Sequence, residues 1–252
     1  MFKGTNWGDM FRAGYHYGIS HVHHFWTKRN LAVLSAMWRK ASQDTRPNQM
    51  RFLLTSFMVK TGSRMHNIGM KSGKVNLAGQ IFNTLQIPSL FAERNLFELA
   101  SGKIDDIAAV FELEKVRGGT IISTGAAQSI PLSENSIDYV FVDPPFGSNI
   151  MYAEMSFLYE AWLRSYTNAA LDTIVSTNQR KGLDWYRDQM TYCFSQIYRV
   201  LKPGRWLTVA FHNSRNDVWI ALQKALQRSG FMVADVRILD KGQGTYKQTP
   251  AP

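Results

Sequence analysis

The chain of 252 residues has one cysteine, Cys193, and no apolar run near the roughly 20 residues that a bilayer crossing needs. A lone thiol excludes a disulfide framework and a thiolate metal cluster, and it fits a reducing, cytoplasmic setting. No signal-peptide pattern opens the chain, and no membrane partner is expected. Repeats and low-complexity tracts are also missing. The length suits one large α/β domain, and a separate second domain would be cramped.

Acidic residues are scarce in the first third. Residues 1–80 hold 12 Lys and Arg against Asp9 and Asp44, whereas residues 81–252 hold 17 of each sign, so the whole net charge of +10 lies in the first 80 residues. A basic region joined to a neutral body suits a polyanion such as DNA, because Lys and Arg that replace condensed counterions gain salt-dependent affinity. Charge alone fits a well-solvated surface equally well.

Residues 1–80 read as a basic, mostly helical region with a mobile loop near 61–80, where Gly, Ser, Lys and Asn dominate. Thr27 is placed to cap a helix ending near Ser42, with Leu31, Leu34, Met37 and Trp38 at helical spacing. A second helix is expected over 48–60. Residues 93–115 read as an irregular helix with Ile107, Val110 and Leu113 on one stripe. Residues 81–252 form an α/β core, read as one domain with the N-terminal helices. Strands are expected at 119–124, 137–142, 206–211 and 231–239, and helices at 152–166 and 216–228. A further helix is capped by Asp184, buries Met190, Cys193, Phe194, Ile197, Tyr198 and Leu201, and ends at Lys202, Pro203 and Gly204. This order predicts a mostly parallel sheet covered by helices on both faces, with ligands at the carboxyl ends of its strands.

One such end carries the most informative residues, Asp143, Pro144, Pro145 and Phe146. Two successive prolines fix φ and donate no backbone hydrogen bond, which holds the Pro144 carbonyl rigidly beside the Asp143 carboxylate. Two acceptors and an aromatic face match an exocyclic amino group on a planar heterocycle. The plainer alternative is a turn or helix cap after a strand. Asn149 and Tyr152 lie near enough in sequence to line the same pocket. His212, Asn213 and Ser214 end another strand on the ligand side, where a pocket role and a capping role are equally open. His21, His23 and His24 have no cysteine or carboxylate at ligand spacing, so a helix-entry or phosphate-contacting role is favoured and no metal is expected.

The Asp143–Phe146 tetrad resembles motif IV of the amino-group DNA methyltransferases, in the form commoner among adenine-N6 members. The resemblance implies a Rossmann-like fold, S-adenosylmethionine as cofactor and DNA as partner. It implies catalytic roles for Asp143, Pro144 and Phe146, with Asp143 also near the cofactor, and substrate contacts for Pro145, Asn149, Tyr152 and His212. Residues 125–135 resemble the loop that contacts the cofactor adenine, through Gly125 and Ala126. Thr27, Lys28, Asn30 and Leu31 are similar to the helix start that abuts the cofactor's methionine end, and the turn 200–204 to a helix-to-strand connection common in such enzymes. Two departures stand out. Ala126 replaces a frequent acidic residue, and the glycine-rich cofactor loop is absent, since Gly242 and Gly244 follow the last expected strand and read as a loop. Either the chain begins inside a longer protein or a partner polypeptide supplies that loop, and the fold is then incomplete. The implied activity is methylation of adenine N6 in DNA, in a restriction-modification or phage-like context. A cytosine-N4 or RNA-base methyltransferase, or a truncated, inactive DNA-binding remnant, are the alternatives.

Overall fold

The computed structural model describes residues 8–12, 14, 16–71, 73–80, 84–113 and 119–238. Within these, the chain is mixed α/β, with six α-helices, one antiparallel hairpin and one two-stranded parallel sheet.

Local signals set the N-terminal helices. Thr27 accepts a hydrogen bond from the Asn30 backbone N–H at 3.1 Å and starts α1, Lys28–Gln43, the capping expected of a threonine side chain. Pro47 sits at the start of α2, Pro47–Phe57, where its missing N–H costs nothing. Residues read as a mobile loop instead form a hairpin, β1 Asn67–Lys71 with β2 Lys74–Gly79. Gly73, at φ +73°, makes the left-handed turn between them. Helix α3 spans Leu96–Leu113. Its inner side is Leu96, Leu99, Ala100 and Ile107, and Val110 of the expected stripe is exposed.

A first core gathers α1, α2 and the start of α3 around Phe25, Leu34, Phe57 and Met58. Helix α4, Tyr152–Leu163, packs into it through Leu158, Met155 and Trp162. A second core lies between α5, Leu183–Val200, and α6, Asn216–Arg228. There Tyr186, Met190, Phe194 and Ile197 meet Val218, Ala221, Leu222 and Ala225. Gly182 is the N-cap of α5, and Asp184 sits in its first turn, where a carboxylate suits the helix dipole. Tyr198, placed on the buried stripe by its spacing, is exposed, while Cys193 is buried and its thiol is pushed up to about 11 by burial.

Strands β3, Ile137–Val142, and β4, Leu201–Val209, pair in parallel. β4 starts as α5 ends, so Lys202–Gly204 belong to the strand rather than to a helix stop. Gly204, at φ +71°, falls in the register shift between Ile137 and Tyr139, the place where a bulge tolerates Pro and Gly. Val140, Val142, Leu207 and Val209 pack on the second core, while Tyr139, Phe141 and Trp206 are exposed on the other face. The sheet is therefore covered on one face among the described residues, not two. The runs 119–124 and 231–238 form no strand, and Ile121, Ile122, Met232 and Ile238 are all more than nine-tenths exposed. Strand propensity forms no ladder without a neighbouring edge to pair with. Leu239, Gly242 and Gly244 lie outside the described residues.

A strap from the N-terminal side ties the two cores together. The buried Glu154 of α4 accepts the backbone N–H groups of Asp9 and Met10, each at 2.8 Å. Asp9 in turn accepts from Ser176 and Asn178. Burial raises the Glu154 carboxyl above its ordinary range, and the two N–H donors only partly offset this. The folded state thus holds this proton more tightly than the unfolded one, so stability falls as pH rises from the ordinary glutamate value through the raised one. Glu154→Gln should therefore make the melting temperature at about pH 7, minus that at about pH 4, more positive. Asp172, raised in the same direction, leaves a residual slope. An unchanged difference would remove Glu154 from this role.

Candidate functional site

The loop after β3 joins the second core, which holds β3, to the first, which holds α4. Two prolines leave it without donors at 144 and 145, so its shape depends on what its carbonyls accept. Tyr186 Oη donates to the Pro145 carbonyl at 2.6 Å. Asn213 Nδ2 donates to the Phe146 carbonyl at 2.9 Å, and the Asn149 N–H reaches the same oxygen at 3.3 Å. The Gly147 carbonyl takes the Val175 N–H at 3.2 Å. Gly147 itself has φ +65°, and a Cβ there would lie 3.1 Å from a Val218 methyl, so the position requires glycine twice over. The next oxygens back are different. Among the described residues, neither the Pro144 carbonyl nor the exposed Asp143 carboxylate has a hydrogen-bond or ion-pair partner.

Several expected residues come together here. Asp143 lies one residue beyond the end of β3, and Ala210 N–H closes the ladder on the Val142 carbonyl at 2.9 Å. Phe146 is half-buried and meets Phe211 edge-on, with centroids 5.5 Å apart and planes at 83°. Pro145 and the half-buried Tyr152 flank the loop. Burial chiefly raises the Tyr152 hydroxyl, and the negative charges of Asp143 and Asp172 push it the same way, which puts Tyr152 within electrostatic reach of Asp143. Asn149 is exposed in the turn, and His212 is exposed beside the buried Asn213. Asn213 binds the loop, and its Oδ1 accepts from Arg215 N–H at 2.8 Å in the turn before α6, whose N-cap is Arg215 and has no side-chain cap.

The residues resembling cofactor contacts do not gather at this loop. Trp26, just before α1, packs on Trp162 at the far end of α4, about 15 Å along the helix from Tyr152. Thr27 already caps α1 and donates to Glu93, which also pairs with Arg29 at 2.5 Å. A carboxylate of this chain thus occupies the α1 N-terminus. Asn30 is buried against the Gly62 and Arg94 carbonyls. Lys28 is exposed in the same turn, and Gly125 and Ala126 are exposed, with nothing within 4 Å of a Cβ built on Gly125. Gln128, two residues on, reaches Thr173 and Gln189 at 3.4 and 3.3 Å. These residues do not fit a common cofactor pocket.

Two residues beside the loop carry no functional mark in their local sequence. Tyr186 sits on the apolar stripe of α5, and its polar tip on a buried face was the signal that it needed an acceptor. Asp172 has none: its carboxylate accepts from Ala153 at the start of α4, burial raises its pKa, and Oδ2 is buried without a partner. The rings of His21, His23 and His24 lie within 5.3 Å of one another, away from the loop, in the 3-10 turn before α1.

Comparison with family models, with curated proteins and with solved structures returned no match.

Removing the Tyr186 hydroxyl leaves the half-buried Pro145 carbonyl without its donor. Tyr186→Phe should cost about 1–3 kcal/mol in denaturant unfolding, and Asn213→Ala a similar amount. A Tyr186→Phe variant as stable as the parent would show that this hydrogen bond does not hold the loop.

Proposed function

We propose that this chain is the base-holding part of an S-adenosylmethionine-dependent DNA methyltransferase of Rossmann-like fold, acting on adenine N6. One observation carries the reading: among the described residues the Asp143 carboxylate and Pro144 carbonyl are adjacent acceptors without a donor, on a loop whose next three carbonyls are all engaged. Asp143 and the Pro144 carbonyl accept the two N6 hydrogens. This draws them out of the ring plane and frees a lone pair otherwise delocalised into the heterocycle. As N6 becomes more positive, the fixed carboxylate and carbonyl dipole stabilise it more than the ground state. An amino group inside a duplex is out of reach, so the base must be extruded, with Phe146 as its stacking partner and Pro145, Asn149, Tyr152 and His212 around it. The basic first third adds phosphate affinity.

S-adenosylmethionine supplies the electrophilic methyl in this class of reaction. Thr27, Lys28, Asn30, Gly125 and Ala126 are dispersed in this fold, so the proposal assigns the cofactor pocket to an upstream or partner polypeptide. The same dispersal favours a second reading, a DNA-binding remnant without transfer activity.

Oligonucleotides presenting one extrahelical adenine or one extrahelical purine test the grip directly. Adenine should bind about tenfold more tightly, because purine leaves both acceptors empty. Asp143→Ala should erase the preference with the circular dichroism spectrum unchanged. Equal affinity of the parent chain for the two bases sinks the proposal. Tritium transfer to cytosine-only rather than adenine-only DNA would move the assignment to cytosine N4.

A further inference from the structure

An open hollow of about 740 Å³ lies between α1, α2 and the C-terminal end of α4, and none of its lining residues belongs to the Asp143 loop. Its aromatic wall is made of three tryptophans. Trp162 sits 5.8 Å from Trp26 and 5.5 Å from Trp38, centroid to centroid, at 77° and 59°. Trp26 is buried and its indole N–H donates to the Met58 carbonyl at 2.8 Å, which makes it part of the core. Trp38 and Trp162 are half-buried, and their indole N–H groups meet no acceptor among the described residues.

The rim is cationic throughout. Arg39, Arg51 and Arg164 line the hollow with no Asp or Glu among its lining residues, and none of the three has an ion pair among the described residues. Arg51 donates to Ser42 Oγ at 3.2 Å, and its Nε is buried without an acceptor. Arg164 is fixed at the C-cap of α4 in the left-handed conformation.

We infer that this hollow binds an unpaired nucleotide of a single-stranded nucleic acid, its base against Trp38 and Trp162 and its phosphate on Arg39, Arg51 and Arg164. An aliphatic anion would leave the indole faces unused, and a neutral aromatic would leave the guanidiniums unpaired. A nucleotide answers both, combining ring stacking with bidentate N–H donation to phosphate oxygens. The volume falls within the range of small-ligand sites. The inference does not rest on the methyltransferase reading.

A labelled oligothymidine of about 12 nucleotides, followed by anisotropy and by tryptophan quenching, tests it. Binding should saturate and quench, and heparin, a polyanion without bases, should compete poorly at equal charge. Arg39→Gln with Arg164→Gln should weaken binding about tenfold and lower the slope of log affinity against log salt by at most about 0.7, the share of one phosphate. Trp38→Leu should weaken binding about tenfold with the slope unchanged. Thermal melting checks each variant, and if Trp38→Leu fails to fold, the arginine variant and the heparin comparison still decide. Heparin competing as well as oligothymidine, or absence of quenching, would each overturn the inference.

Discussion

A loop with two consecutive prolines has few donors of its own, so its conformation is set by what donates to it. Here the donors come from elements far apart in sequence: Tyr186 on α5, Asn213 after β4 and the Val175 backbone. Each takes the carbonyl of a different residue, from 145 to 147, and together they leave the Pro144 oxygen and the Asp143 carboxylate unengaged among the described residues. The rigidity of the pair is thus imposed from outside by part-buried hydrogen bonds at the edge of the second core, where loss of a partner costs stability. Gly147 completes the constraint, because its backbone conformation and its closeness to Val218 both exclude a side chain.

The same loop is the hinge between two unlike halves. On one side, helices pack on helices around Phe25 and Phe57. On the other, a minimal parallel sheet rests on α5 and α6 and turns Tyr139, Phe141 and Trp206 outward. Parallel sheets are ordinarily covered on both faces, and the sequence of β3, apolar at nearly every position, is written for that environment. The strap from Gly8 to Met10 crosses between the halves through Glu154 and Asp9, so the loop is not the only link.

Features decided within a few residues were legible in the sequence: the Thr27 cap, the stripes of α1 and α5, the helix at 216–228, and an acid at the end of a strand. Features decided by distant partners were not. The runs 119–124 and 231–238 carry β-rich residues, yet no edge pairs with them. The hairpin hid in a Gly- and Lys-rich segment because its signal is the register of two strands, not apolar content. Thr27 shows the limit best. Its capping was readable from the local pattern, but Glu93, which fills the space a bound carboxylate would need, is 66 residues away. Asp143 and Phe146 stand out as candidates from composition and order alone, whereas nothing around Asp172 in the chain marks its approach to α4.

Helix α4 also sets a fixed ruler. Tyr152 at one end and Trp162 at the other are separated by about 15 Å of a rod that does not compress. A stacked polynucleotide strand advances about 3.4 Å per residue, so a strand running that length of helix takes about four steps. The two places therefore cannot serve neighbouring nucleotides of one stacked strand; contact at both selects a minimum length of polymer.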